Sequence, residues 1–494
     1  MKMRKSIIVA VSVPIILFSI SAKAQTDADA LRYSQSSITG TARYTAMAGA
    51  FGALGGDFSS IATNPACLGI YRSSEFTFSP SLYMNQTTSN FLGTSSTEDR
   101  YNFNIPNLGF VFNHPVRDQS GGWKSWGIGI GLNRVNNFQS NTYYSGYNQN
   151  NSLLDHFTQS ANGVDGGDPN NFDQFNEGLA YNAGLIYFDS TAGRYISDLR
   201  PGEGVTQKRT GSTRGAMNEW NFSFGANYDD ILYLGAALGV RSIYYDDESI
   251  YEEKVTDNDT LNGFSFQQSV ITSGTGLNFK LGAIVRPVDW LRIGGSVHTP
   301  TVYSMHDDYS SSMTSDLTGY NYPTQTSPTG SFDYTLTTPL EATASLGFVI
   351  AKTALIGIDY EVKDYSSTRF STSAANAADY ISQVNDAIRQ KYTTAGNLRI
   401  GGEYRWRNLA FRLGYATYGS PFSADAKISG ADYSRTSYSG GIGFRDKRYF
   451  VDLAYIYTMS NEYFQPYTLS DQMVPGVINN VNTNNVVITF GVKW

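Results

Sequence analysis

The side chains of this 494-residue chain whose types could do chemistry are few: four histidines, one cysteine, and carboxylates and cations scattered among apolar residues. His114, His156, His298 and His306 stand far apart without zinc spacing, and Cys67 has no CxxC or Cys/His partner. A hydrolytic centre needs a serine and a histidine held together, and His298 has no evident partner in the sequence. The run "GAFGALGG" is not G-x-G-x-x-G and follows no strand, so it carries no dinucleotide fingerprint. No catalytic residue, metal or cofactor is therefore expected, and the chain does not read as an enzyme. What remains is the chemistry of binding. Lys280, Arg292, Arg399 and Arg412 are cations on strand-like segments, with Glu403, Asp359 and Asp452 nearby on the same pattern. An arginine can hold a ligand carboxylate in bidentate geometry, and it can equally close an ion pair across a protein wall.

The elements that must position these groups repeat one pattern. Val486, Ile488, Phe490, Val492 and Trp494 form an apolar row that alternates with Asn485, Thr489, Gly491 and Lys493, the period of a strand with two unlike faces. The same alternation recurs at Leu409/Phe411/Leu413/Tyr415, at Leu398/Ile400/Gly402/Tyr404/Trp406 and at Trp220/Phe222/Phe224/Ala226/Tyr228. On this alternation the four cations face away from the apolar rows, which contain no charge. Alternation alone fits a soluble sandwich as well as a membrane barrel. The rows, however, are about ten residues long, the length that crosses a bilayer at a tilt. Aromatics such as Trp220, Tyr228, Trp406, Tyr449 and Trp494 stand at their ends, as an interfacial girdle would place them.

Residues 1–24 read as a signal peptide: Lys2, Arg4 and Lys5, an apolar run from Ile7 to Ile20, and Ala22-Lys23-Ala24 before a mature start at Gln25. After Gln25 no window approaches 18 apolar residues, so helical membrane spans are not expected. Tyr 35, Phe 28 and Gly 48 against Pro 15 suit strands and turns. Loss of the four leader cations takes the formal net charge from −7 to −11, which argues against a nucleic-acid partner.

The spacing predicts strands near 75–86, 101–113, 124–137, 217–228, 231–246, 275–286, 289–302, 330–350, 354–366, 394–406, 409–419, 434–445, 448–460 and 484–494. These are fourteen, an even number. Connections after even-numbered strands are short, as in "YDD", "RPVD", "AKT", "WRN" and "RDK", and those after odd-numbered strands are long, 138–216 the longest. A sandwich has no reason to keep that parity, whereas an outer-membrane barrel has tight periplasmic turns and long extracellular loops. The fold class is therefore all-β: a 14-stranded antiparallel transmembrane β-barrel over 75–494, multi-pass in the bacterial outer membrane and monomeric. Its expected partners are outer-membrane lipids and lipopolysaccharide around the belt, and the barrel-assembly machinery at the C-terminal strand ending at Trp494.

Residues 25–74 precede the first strand and are rich in small residues, with turns at Gly55-Gly56 and Asn64-Pro65. A barrel of this size leaves a lumen that side chains alone do not fill, and a compact segment of this kind reads as a plug inside it. Asp57 can cap a short helix, Asn64 can bond its own backbone, and Pro65 withdraws a donor. The stretch "ARYTAMAGAFGALGGDFSSIATNPACLGIYRSSE" resembles the N-terminal hatch of the FadL-type outer-membrane transporters, channels for long-chain fatty acids and aromatic hydrocarbons. The likeness lies in the Gly/Ala run, Asp57 and the Asn64-Pro65-Ala66 motif, with a weaker echo in "GGSVHTPT"; family members continue the motif with Gly where this chain has Cys67. The pattern is most similar to members from the Bacteroidetes lineage, some of which carry labels naming haem.

The resemblance implies a passive channel for hydrophobic small molecules such as long-chain fatty acids. Substrate would be captured among the extracellular loops, held inside the barrel, and released when the hatch, with Asp57, Gly55, Gly56, Asn64, Pro65 and Ala66, shifts, often through a lateral opening at a kinked strand. Leu153, Leu154, Phe157, Phe172, Phe175, Leu185, Ile186 and Phe188 in the 138–216 connection are then either a capture surface or the packing of the loop itself. Lys280, Arg292, Arg399 and Arg412 are either head-group contacts or ion-pair partners. "AANAADYISQVNDAIRQKY" reads as a helix in an extracellular loop with Ile381, Val384 and Ile388 on one face. The alternative function is a haem or hemin receptor; against it stand the missing axial-ligand motif and the small size of the plug.

Overall fold

The computed structural model describes residues 25–117, 122–200, 202–256 and 258–494; the expected signal peptide lies outside the described residues. One antiparallel sheet closes on itself as fourteen staves. They are β1 (Glu75–Phe91), β2 (Thr94–Pro115), β3 (Trp123–Asn137, resuming at Ser140–Asn148), β4 (Val205–Tyr228), β5 (Leu232–Lys254), β6 (Leu261–Val288) and β7 (Leu291–His298, resuming at Val302–Leu317). The circuit continues with β8 (Gly330–Thr337 and Glu341–Ile350), β9 (Ala354–Asp364), β10 (Thr394–Trp406), β11 (Leu409–Tyr418), β12 (Arg435–Arg445), β13 (Tyr449–Phe464) and β14 (Val477–Lys493). The ring closes where β14 pairs with β1, Lys493 opposite Glu75 through Ile478 opposite Asn90.

Exposure decides between sandwich and barrel. In β4, Trp220, Phe222 and Phe224 are 42%, 46% and 51% exposed, while Glu219, Asn221 and Ser223 are 1%, 1% and 4% exposed. An apolar row turned outward over a buried polar row is the reverse of a water-soluble sheet and the arrangement of a membrane barrel. No helix among the described residues is long and apolar enough to cross a membrane; the crossing is made by strands, whose backbones pair with their neighbours in a ring.

The strands run further than alternation predicts. The β1–β2 connection, expected to be long, is a tight turn at Leu92-Gly93, both with positive φ (47° and 82°). β5 and β6 likewise extend to Lys254 and from Leu261, and Val302–Leu317, read as loop, continues β7. Above the bilayer neither strand face meets lipid, so polar residues such as "QTTSN" occupy both faces and erase the period-two signal. The expected 330–350 strand is interrupted between Thr337 and Glu341.

Residues 25–71 descend through the lumen. α1 (Asp27–Ser34) opens on a reciprocal capping box between Thr26 and Asp29, α2 (Ala42–Ala46) is capped by Thr41, and α3 (Phe58–Thr63) by Asp57. A 3-10 turn, Pro65–Ile70, ends the descent beside Tyr233 and Ile284. At the extracellular end α1 packs on α4 (Ala378–Lys391), where Lys391 pairs with Asp27 at 3.0 Å and Ile381, Val384 and Ile388 are buried as the helix reading expects.

Candidate functional site

The N-terminal segment is held by caps and by wall groups. Asp57 accepts from Ser59 N at 3.0 Å and from the Thr41 hydroxyl at 2.7 and 2.8 Å, tying α3 to the start of α2. Burial pushes the Asp57 carboxyl above the usual carboxylate range, against the pull of the Arg43 guanidinium and the Thr41 hydroxyl. Asn64 Oδ1 accepts from Ala66 N at 3.0 Å, and its Nδ2 donates to Gly52 O at 2.7 Å, so one side chain closes the Pro65 turn and ties it to the glycine run. Pro65 opens that turn where its missing N–H costs nothing. Gly55 and Gly56 have φ of 63° and 67°, the left-handed region that folds the run back on itself. Cys67 is fully buried, and burial pushes its thiol up to about 12.

The wall makes room for this backbone. A Cβ on Gly235 would meet the Pro65–Ala66 peptide, and a Cβ on Gly282 would meet the Asn64 side chain. These inward glycines were not among the sequence candidates, although their place in the polar rows was the available signal. Ser296 and His298, in the "GGSVHTPT" echo, both bond Thr63 O, at 2.8 and 2.9 Å.

All four predicted cations face inward, and all four are engaged. Lys280 pairs with Glu219 and donates to Ala62 O at 3.1 Å; Arg292 Nη1 donates to Leu54 O at 2.5 Å. Arg399 lies 3.2 Å from Glu361 and 4.0 Å from Asp359, which itself accepts from Gly52 N at 3.0 Å. Arg412 reaches Glu403 and Asp452, each at 2.7 Å, and Arg43 of the plug shares Glu403 at 2.7 Å. The geometry is that of wall-to-wall and wall-to-plug bonds, and removing one partner of such a buried pair is costly.

A separate cavity of about 900 Å³ lies between α1 and the upper parts of β1, β3, β4, β12, β13 and β14. Its size falls in the range of small-molecule sites. None of the four predicted cations lines it; Arg209, Tyr144, Tyr245, Phe464 and residues 136–140 do. Those last residues stand at a break in the wall. β2 and β3 pair only from Pro115 opposite Ser125 to Asn107 opposite Asn133. Beyond that point the β3 register slips between Arg134 and Asn136, and the strand resumes at Ser140 paired with β4. The upper part of β2, 94–106, keeps β1 as its ladder partner. Side chains span the gap: Arg100 donates to Gln139 Oε1 and Asn141 Oδ1 at 3.0 Å and to Ser212 Oγ at 2.9 Å, and Ser140 Oγ donates to Asn85 Oδ1 at 3.3 Å. The lost alternation in "NRVNNFQSN" marks this break in the sequence; nothing there marks Arg100.

The 138–216 connection is packed rather than open. Leu153, Leu154, Phe157 and Phe172 are buried with Leu185 and Ile186 in one core, against Tyr251, Phe264 and Phe266 from the strand extensions. Phe175 stacks by Tyr309 at a centroid distance of 4.9 Å, and Phe188 stands 54% exposed. Leu153, Leu154, Phe157 and Phe172 thus pack within the connection, while Phe188 keeps an exposed face.

A closed barrel with an outward apolar belt and a buried polar lining is a bacterial outer-membrane β-barrel. No protein-family model matches the chain, and no curated protein does. Its fold is that of the FadL-family channels. It superposes on the Pseudomonas putida toluene transporter TodX with a TM-score of 0.53 at 11% identity, over 93% of this chain and 99% of that one. A Pseudomonas aeruginosa FadL homologue gives 0.54 at 12% identity, over the same 93% and 99%.

Proposed function

We propose that this chain is a non-enzymatic channel for passive uptake of hydrophobic molecules such as long-chain fatty acids, with residues 25–74 as its gate. The observation that carries the reading is the cavity adjoining the break between β2 and β3, with the lumen beneath it filled by the plug. An apolar solute gains about 0.8 kcal/mol per buried CH₂, so a cavity with aromatic walls draws it from water. The break then offers a side exit into lipid without passage through a polar pore, and a shift of the plug around Asn64 and the Gly55-Gly56 turn opens that path. The haem reading has less support, since no histidine, cysteine or methionine lines the cavity.

The test is uptake of labelled long-chain fatty acid and labelled toluene by a bacterial host lacking such a transporter. Uptake of either that appears with this chain supports the reading. Correct membrane insertion with uptake of neither sinks it.

A further inference from the structure

Arg209 and Tyr144 stand directly opposite each other in the β3–β4 ladder, and both line the cavity. The Arg209 guanidinium sits 4.5 Å over the Phe464 ring and has no hydrogen bond or ion pair among the described residues. Tyr144 is 2% exposed, and its hydroxyl is buried without a hydrogen-bond partner. A buried hydroxyl left unbonded is costly, and a guanidinium with no protein acceptor leaves its directed donors unused. The other cations lining the same cavity are held: Lys391 by Asp27 at 3.0 Å, Arg32 by Asp29, and Arg435 by Ser36 O at 3.0 Å.

Resting on the channel reading above, we infer that Arg209 and Tyr144 are the recognition point for an anionic group. The ligand of the cavity is then an organic anion, a carboxylate carried on a multi-ring apolar body, rather than a neutral hydrocarbon. A carboxylate is acceptor-only and offers two oxygens, so it takes one charge-assisted bond from the guanidinium and one from the phenol, satisfying both donors at once. The body follows from what surrounds that point. Phe91, Tyr144 and Phe464 form a continuous ring cluster, with centroids 4.7 and 6.3 Å apart, and a cavity of about 900 Å³ is larger than one aromatic ring requires. Three carboxylates share the cavity, of which Asp27 is held by Lys391 at 3.0 Å. Asp247 accepts from the Tyr245 hydroxyl at 3.0 Å, and Glu462 stands two residues from Phe464 on the same strand. Glu462 opposes an anion there, so its removal has a sign opposite to removal of Arg209.

The test is equilibrium dialysis of the full chain in amphipol, with protein-free amphipol subtracted, against 1-pyrenebutyrate and its neutral analogue 1-pyrenebutanol. The native chain binds the carboxylate about tenfold tighter than the alcohol. Arg209→Gln abolishes that preference and leaves alcohol binding unchanged. Tyr144→Phe, which keeps the ring, weakens only the carboxylate, and Glu462→Gln strengthens it. Heat-modifiable gel mobility confirms that each variant is a folded barrel. Equal binding of the two probes by the native chain, or equal loss of both in Arg209→Gln, overturns the inference while leaving the channel reading in place. Binding of neither probe by the native chain overturns both.

Discussion

Asn64 is 1% exposed, and its side chain bonds Gly52 O, Ala283 O and Ala66 N. Its replacement by Ala leaves Gly52 O and Ala66 N short of a partner and destabilises the plug locally by about 1–3 kcal/mol. Cys67, three residues on, reports it. Its thiol is fully buried, so maleimide reaches it only when the segment opens locally. Asn64→Ala speeds that labelling; an unchanged rate would show that Asn64 does not hold the plug. The roles of Asp57, Asn64 and Pro65 as caps and turn residues were legible in the sequence because capping acts over two or three residues. The bonds of Lys280, Arg292, Arg399 and Arg412 were not, because their partners come from other strands and from plug carbonyls, which no local spacing reveals. Arg209 and Arg100 escaped for the same reason, lying in strand extensions that read as loop.

The strands were legible wherever one face meets lipid, since the apolar row then has no substitute. They were hidden above the bilayer, where both faces of β1, β2, β5 and β6 turn polar. The inward glycines belong to this scale as well, because they set how closely the plug can approach the wall. Gly235→Val drives a side chain into the Pro65–Ala66 peptide, and the expected result is a barrel of normal gel mobility with Cys67 open to maleimide. Cys67 protection equal to the native chain would mean that the plug is not seated on β5. At the break between β2 and β3, Arg100 makes three bonds across the gap. Arg100→Ala removes all three and is expected to raise uptake of a hydrophobic substrate; unchanged or lower uptake would remove Arg100 from any latch.

At the scale of the molecule, the barrel solves one problem and creates another. Closing fourteen strands satisfies the backbone in lipid but leaves a lumen too wide for side chains to fill. Residues 25–71 lie in it, and the buried ion pair of Arg43 with Glu403, together with wall bonds to the segment's backbone, fixes their place. The proposed gate requires that these contacts break before a ligand leaves the cavity. The measurement that tests this most directly locks the plug to the wall. Ala53 Cβ lies 3.2 Å from a Cβ built on Gly294, which also meets Gly52 O at 2.8 Å, so Ala53→Cys with Gly294→Cys, in a Cys67→Ser background, joins the two once the backbones part toward the ~3.8 Å of a disulfide. The account predicts that uptake of labelled hydrophobic substrate falls to background when the pair is oxidised and returns on reduction. Equal uptake in the oxidised and reduced states would contradict it.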